Sequence, residues 1–320
     1  MSKSLMKSAM AMVLLMSSIS AFANDVQNAK RLARFHLGAK ECSKAVLALA
    51  TVPFQRDDAE FISLYSDTYL CKADTEWNDF TDIEAEELLK SLASMKTSNE
   101  VTSDSQVYLD LNSAIEILLK FDGTNSPSTT ARIQKFGLKD ATALSLKALK
   151  LLLVQQGKFM ALYGNSGIDG SKGQGPQSNS CIYSYVTDDA IDWINAISPQ
   201  TCVSATGTEG SQFLMSPYKP QVIKRRLCEG ITYFNNMIDI LRNIQLPDGQ
   251  EYNEIKKILP TQDTLLALLE VAESGAFNNG SPRGRNALAT TKGLTGKKDC
   301  MNLHMPIIEK WYAIYFETIF

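Results

Sequence analysis

The chain has 320 residues, 44% of them hydrophobic and 21% charged, with a formal net charge of −3. That is length enough for one large domain or two modest ones. A mildly acidic balance argues against nucleic acid as the main partner, because phosphate binding needs a basic face.

The first residues read as a secretory signal. Lys3 and Lys7 precede an apolar run from Met10 to Met16, and Ala21-Phe22-Ala23 forms an A-x-A cleavage pattern. The apolar run is far short of the ~20 residues that span a bilayer. Cleavage is expected before Asn24, which leaves 320 minus 23, or 297, residues and takes the charge to −5 through loss of two lysines. The expected location is periplasmic or secreted. No later apolar stretch is long enough to span a membrane; Leu144 to Val154 is interrupted by Lys147 and Lys150.

Period-three and period-four apolar spacing recurs along the chain, while period-two alternation is scarce, which makes the fold all-α. The expected architecture is a helical bundle or short α-solenoid with two long irregular loops, stabilised by disulfides. One or two helices are expected over Asp25 to Val52, weakened at Gly38. Another covers Asp58 to Ala73, and an amphipathic one covers Asp82 to Met95. Ser105 to Phe121 and a short Ala131 to Phe136 follow. Lys139 to Tyr163 is apolar around most of its circumference, as suits the centre of a bundle, and Gly164 ends it. The Asn165 to Ser180 loop precedes a short helix from Asp188 to Ile197. A long helix spans Pro220 to Ile244, and shorter ones span Gln250 to Leu259 and Thr261 to Glu273. Phe277 to Gly296 is a second loop, and Asp299 to Ile319 reads as one closing helix. The alternation that ends at Phe320 also fits an outer-membrane barrel, but the rest of the chain supplies almost no matching strands. The expected organisation is a signal peptide at 1–23, a helical region at 24–163 and a C-terminal helical region at 164–320. The last two pack together or form one domain.

All six cysteines, Cys42, Cys71, Cys181, Cys202, Cys228 and Cys300, follow the signal, and an even count in an exported chain reads as up to three disulfides. Cys42 and Cys71 lie at similar distances on either side of a turn at Phe54 to Asp57, so in an antiparallel hairpin they stand at similar heights. Cys181 with Cys202 and Cys228 with Cys300 are the remaining pairs that this choice suggests. No C-x-x-C spacing occurs and only His36 and His304 could add soft ligands, so no metal site or cofactor is expected.

The segment from Lys44-Ala-Val-Leu-Ala-Leu-Ala through Asp57-Asp-Ala-Glu to Leu64, Tyr65, Tyr69 and Leu70 resembles a junction between tetratricopeptide-type helices. The likeness covers about thirty residues; the family's Trp, Gly and Pro signature and a ~34-residue repeat are absent. It implies an α-solenoid segment and a protein-binding role. A similar relaxed arrangement occurs in periplasmic helical components of some tripartite transporters.

Catalytic motifs are lacking: there is no G-x-S-x-G and no H-E-x-x-H. In the Asn165 to Gly175 loop, Asp169 is the one carboxylate, too few for an EF-hand, and the spacing of a phosphate loop is missing. Two charge-biased stretches stand out. Asp74 to Glu87 carries seven acids and no base and ends in Glu84, Glu86 and Glu87, whereas Gly275 to Lys298 carries Arg283, Arg285, Lys292, Lys297 and Lys298 and no acid. Each is a solvated face or a contact for a partner of opposite charge. The sequence therefore points to a non-enzymatic interaction or scaffold module with an envelope protein partner. The alternative is a helical carrier of a small or apolar ligand, such as an accessory of a transporter, lined by residues such as Leu152, Met160, Trp311 and Tyr312.

Overall fold

In the computed structural model the described residues are 24–73, 106–119, 128–163, 220–244 and 289–319. These residues are helical and contain no strand. We number the helices α1 (24–38), α2 (Cys42–Ala50), α3 (Ala59–Lys72), α4 (Gln106–Leu119), α5 (Thr129–Phe136), α6 (Leu138–Tyr163), α7 (Pro220–Asn243), α8 (Lys297–Met301) and α9 (Met305–Ile319). No helix among them is long and apolar enough to cross a membrane. The signal segment, the Asp82 to Met95 helix, the Asn165 to Ser180 loop and the elements between Asp188 and Ile197 and between Gln250 and Glu273 lie outside the described residues.

Local chemistry sets several boundaries. The helix break near Gly38 falls two residues later than the glycine. Lys40 takes the left-handed conformation (φ 56). The amide of Glu41 donates to His36 O and that of Lys40 to Leu37 O, the paired bonds of a Schellman end. Asp58 caps α3 by accepting from the Phe61 amide at 2.9 Å. Ser128 caps α5 in the same way, and Gly137, at φ 78, turns the chain into α6.

The closing helix is two helices. The chain breaks at Asn302–His304, and the His304 carbonyl accepts the first amides of α9, from Ile307 and Ile308. Pro306, in the first turn of α9, accounts for the break. Proline has no amide to continue a helix. A helical turn at 289–291 also falls inside the stretch expected to be an irregular loop.

The helix α6 is the centre of the main core. It packs against α3, α4, α5 and α7. Ala141, Leu144, Ala148, Leu151, Leu152, Val154 and Phe159 are buried around it. A helix that is apolar on most sides finds partners on most sides. α7 adds Ile231, Phe234, Met237 and Ile240, and α9 adds Ile308, Trp311, Tyr312 and Ile314. A second, smaller core lies between α1, α2 and α3, built from Val26, Ala29, Ala33, Ala48, Leu49, Phe61 and Leu64, and Phe54 packs against both cores. Each core carries one disulfide. Cys42–Cys71 joins α2 to α3 with Cα atoms 5.4 Å apart, and Cys228–Cys300 joins α7 to α8 at 5.6 Å. Spans of 29 and 72 residues correspond to about 3.5 and about 4.5 kcal/mol in the chain-entropy account.

Candidate functional site

The small N-terminal core explains how α1 is held and what it leaves outside. Val26, Ala29, Lys30 and Ala33 recur at helical spacing and are buried. Lys30 is a buried cation in this stripe, and α3 supplies its partners: Asp58 Oδ2 at 2.8 Å and Glu60 Oε2 at 2.5 Å. Arg34 pairs with the other oxygen of Glu60. Burial lowers the Lys30 pKa, but the hydrogen bonds to Asp58 and Glu60 outweigh it and hold the ammonium above its ordinary value. Burial raises the Asp58 carboxyl; the Lys30 ammonium and the Phe61 amide reverse this and leave it below the usual carboxylate range. These contacts clamp α1 to the start of α3 and fix which face of α1 looks outward.

That outward face is apolar in part. Leu32 is 47% and Phe35 68% exposed, one turn apart on α1, and Leu47 on α2 is 66% exposed. Scattered exposed leucines are ordinary on protein surfaces. Here, however, three of the five large exposed apolar residues among the described ones lie on two consecutive short helices. Exposed Arg31 adjoins Leu32, and exposed Lys44 lies three residues before Leu47. At the turn between the two helices Glu41 accepts from Lys44 at 2.6 Å and meets His36 Nδ1 at 2.6 Å. Glu41 is held below the usual carboxylate range, by Lys44 first and His36 second.

A second cluster lies where α4, α7 and the approach to α8 meet. Asn112, Glu116, Glu229, Thr232, Tyr233, Asn236, Thr295 and Lys297 line a cleft of about 50 Å³ there. Glu229 is buried between Arg226, at 3.4 Å, and Lys297. Asn112 Oδ1 accepts from Tyr233 and from Gln155 Nε2, the latter at 2.8 Å. Asn236 donates to Thr232 O at 2.7 Å and to Thr295 O at 3.2 Å. Burial, then the nearby Glu229, push the Tyr233 hydroxyl above its ordinary pKa. The polar groups thus largely satisfy one another across three elements. The cleft has room for a few waters, far short of the several hundred Å³ of an organic-ligand site. Its chemistry ties helices together.

A further buried charge, Arg132, sits at α5. It donates to Thr129 Oγ1 at 2.9 Å and lies 3.7 Å from Asp239, while its Nε and Nη1 have no acceptor. Burial pushes its pKa down to about 10. Asp239 accepts from the amide and hydroxyl of Thr129 at 2.7 and 2.9 Å, and so holds the start of α5 to α7. Among the described residues no three His, Cys, Asp or Glu side chains are placed to hold a metal ion.

Of the residues singled out in the sequence, Cys42 meets Cys71 and Cys228 meets Cys300. Cys181, Cys202, Glu84, Glu86, Glu87, Arg283, Arg285 and the Asn165 to Gly175 loop lie outside the described residues, as does the side chain of Met160. Leu152, Trp311 and Tyr312 are packed in the main core. Sequence reasoning missed Leu32, Phe35 and Leu47. The spacing puts Leu32 and Phe35 on a different stripe of α1 from Val26, Ala29 and Ala33, but it does not say which stripe is buried. No protein-family model matches the chain, and no curated protein or solved structure matches it either.

Proposed function

We propose that the chain is an exported helical module that works by binding another protein of the cell envelope, not by catalysis. The observation that carries this reading is the outward exposure of Leu32, Phe35 and Leu47 on a layer braced by a disulfide and by the Lys30–Asp58–Glu60 cluster. Large apolar side chains left on a rigid frame are what a contact surface needs, since they bind without first having to be ordered. The tetratricopeptide-like reading of 44–70 calls for an antiparallel hairpin such as α2–α3, and a protein-binding role comes with that reading. The acidic stretch around Glu84, Glu86 and Glu87 and the basic stretch around Arg283 and Arg285 would steer a charged partner and act mainly on association rate. The signal-like pattern at 1–23 and the two disulfides support a working location outside the cytoplasm.

The test is affinity isolation from an envelope fraction with wild-type protein and with Leu32→Ser, Phe35→Ser and Leu47→Ser combined. Both proteins are first matched for helicity by circular dichroism. The expected result is a discrete partner bound by wild type and lost in the triple variant. If the triple variant retains every wild-type partner, the binding surface lies elsewhere. If native extraction instead yields a stoichiometric small molecule and no protein, the carrier reading replaces this one.

A further inference from the structure

The two disulfides differ in their surroundings. Cys228 and Cys300 are fully buried in the main core, whereas Cys42 and Cys71 are half-buried at the edge of the α2–α3 hairpin. Thiol–disulfide exchange needs a thiolate to reach a sulfur of the bridge, so packing shields the first pair and leaves the second open to attack.

The ends of the open bridge also differ electrically. Cys42 is the first residue of α2, and no side chain caps that terminus. The positive end of the helix therefore faces Cys42. Lys40 and Lys44 flank it in sequence, and the Lys44 side chain is 62% exposed. Glu41 offsets part of this charge but is itself held by Lys44 and His36. A helix N-terminus with nearby cations favours the thiolate. Cys71 lies in the last turn of α3, at the negative end of its helix, and the adjacent Lys72 is engaged with Asp110 at 2.9 Å. The thiol with the lower pKa is the better leaving group.

We propose that Cys42–Cys71 is a thiol-exchange site for a dithiol, either a small dithiol or a dithiol oxidoreductase, with Cys71 as the sulfur attacked and Cys42 as the leaving group. The incoming thiolate forms a bond to Cys71 Sγ as the Cys42–Cys71 bond breaks, and Cys42 Sγ departs with the electron pair and takes up a proton. The second thiol of the reductant then attacks its own sulfur in the mixed disulfide, and Cys71 leaves as a thiolate and is protonated. Two electrons have passed to Cys42 and Cys71, and the dithiol is left as a disulfide. The reverse sequence reoxidises the pair. Because α2 buries little beyond Ala45, Ala48 and Leu49, it is the element that loses most when the bridge opens.

The first step can be trapped with a monothiol. The full oxidised chain is exposed to graded mixtures of reduced and oxidised glutathione, quenched in acid, alkylated and mapped by mass spectrometry. The expected early product carries glutathione on Cys71 and the alkyl group on Cys42, with Cys228–Cys300 intact. More reducing mixtures free both Cys42 and Cys71 before the buried pair opens. Glutathione appearing first on Cys42, or the buried bridge opening first, overturns the proposal. A Lys44→Glu variant of unchanged helicity should form the Cys71 adduct several-fold more slowly. An unchanged rate would remove Cys42 as the favoured leaving group.

Discussion

Lys40 shows how one residue can pay for a turn. It closes α1 in the left-handed region, at φ 56, where the Cβ of an L-residue is crowded and glycine is the usual occupant. Lys40→Gly should relieve this and stabilise the protein by about 0.5–1 kcal/mol after the added freedom of glycine in the unfolded chain is deducted; a lower urea midpoint would contradict it. The Lys30 cluster makes a second claim at this scale. Asp58 has a depressed pKa, so its contribution is present above the unfolded carboxylate value of ~4 and is lost as pH falls through the folded one. The raised Lys30 contributes fully below ~10.4, and its share is lost as pH rises through its folded value. The urea midpoint of wild type should therefore fall off on both the acid and the alkaline side. Lys30→Met should flatten both limbs, and an acid limb as steep as that of wild type would refute the assignment. At this scale the sequence was ambiguous. α1 carries Val26, Ala29 and Ala33 on one stripe and Leu32 and Phe35 on another. Hydropathy favours the larger residues for the core, yet the small ones were buried, because alanines allow α1 to approach Phe61 and Leu64 closely.

Elements were easier to read than their faces. α3, α4, α6 and α7 begin and end within a few residues of where periodicity puts them, since each carries a long apolar stripe or a cap such as Asp58. The last helix was misread because the pattern from Ile307 to Ile319 extends backwards across Pro306 without a change in hydropathy. Only the missing amide of proline marks the break. Close packing of α7 was also illegible. A methyl group on Gly230 would collide with the Tyr312 hydroxyl and the Phe159 ring, so α7, α6 and α9 meet at a distance that only glycine permits. Tyr312 cannot easily yield, because its hydroxyl donates to Leu227 O at 2.6 Å. Gly230→Ala would normally favour a helix, but here it should destabilise by about 1–3 kcal/mol through overpacking. Thermal unfolding that moves upward instead would show that the contact is loose.

At the scale of the molecule, a large core around α6 carries a smaller layer, α1 to α3, on one side, and each part has its own disulfide. The first bridge was legible because a common turn sets Cys42 and Cys71 at equal heights. The candidate contact surface was not legible, since it depends on which apolar groups the packing left over. The charged stretches around Glu84 and Arg283 were the sequence's choice of surface; α1 and α2 add a different kind, apolar and rigidly mounted. The most direct measurement is photo-crosslinking in living cells, with a photoreactive phenylalanine analogue placed at Phe35, at Leu47, or at exposed Lys139 on α6. A discrete protein adduct is expected from positions 35 and 47 and none from 139. No adduct from 35 or 47, or the same adduct from all three positions, would contradict it.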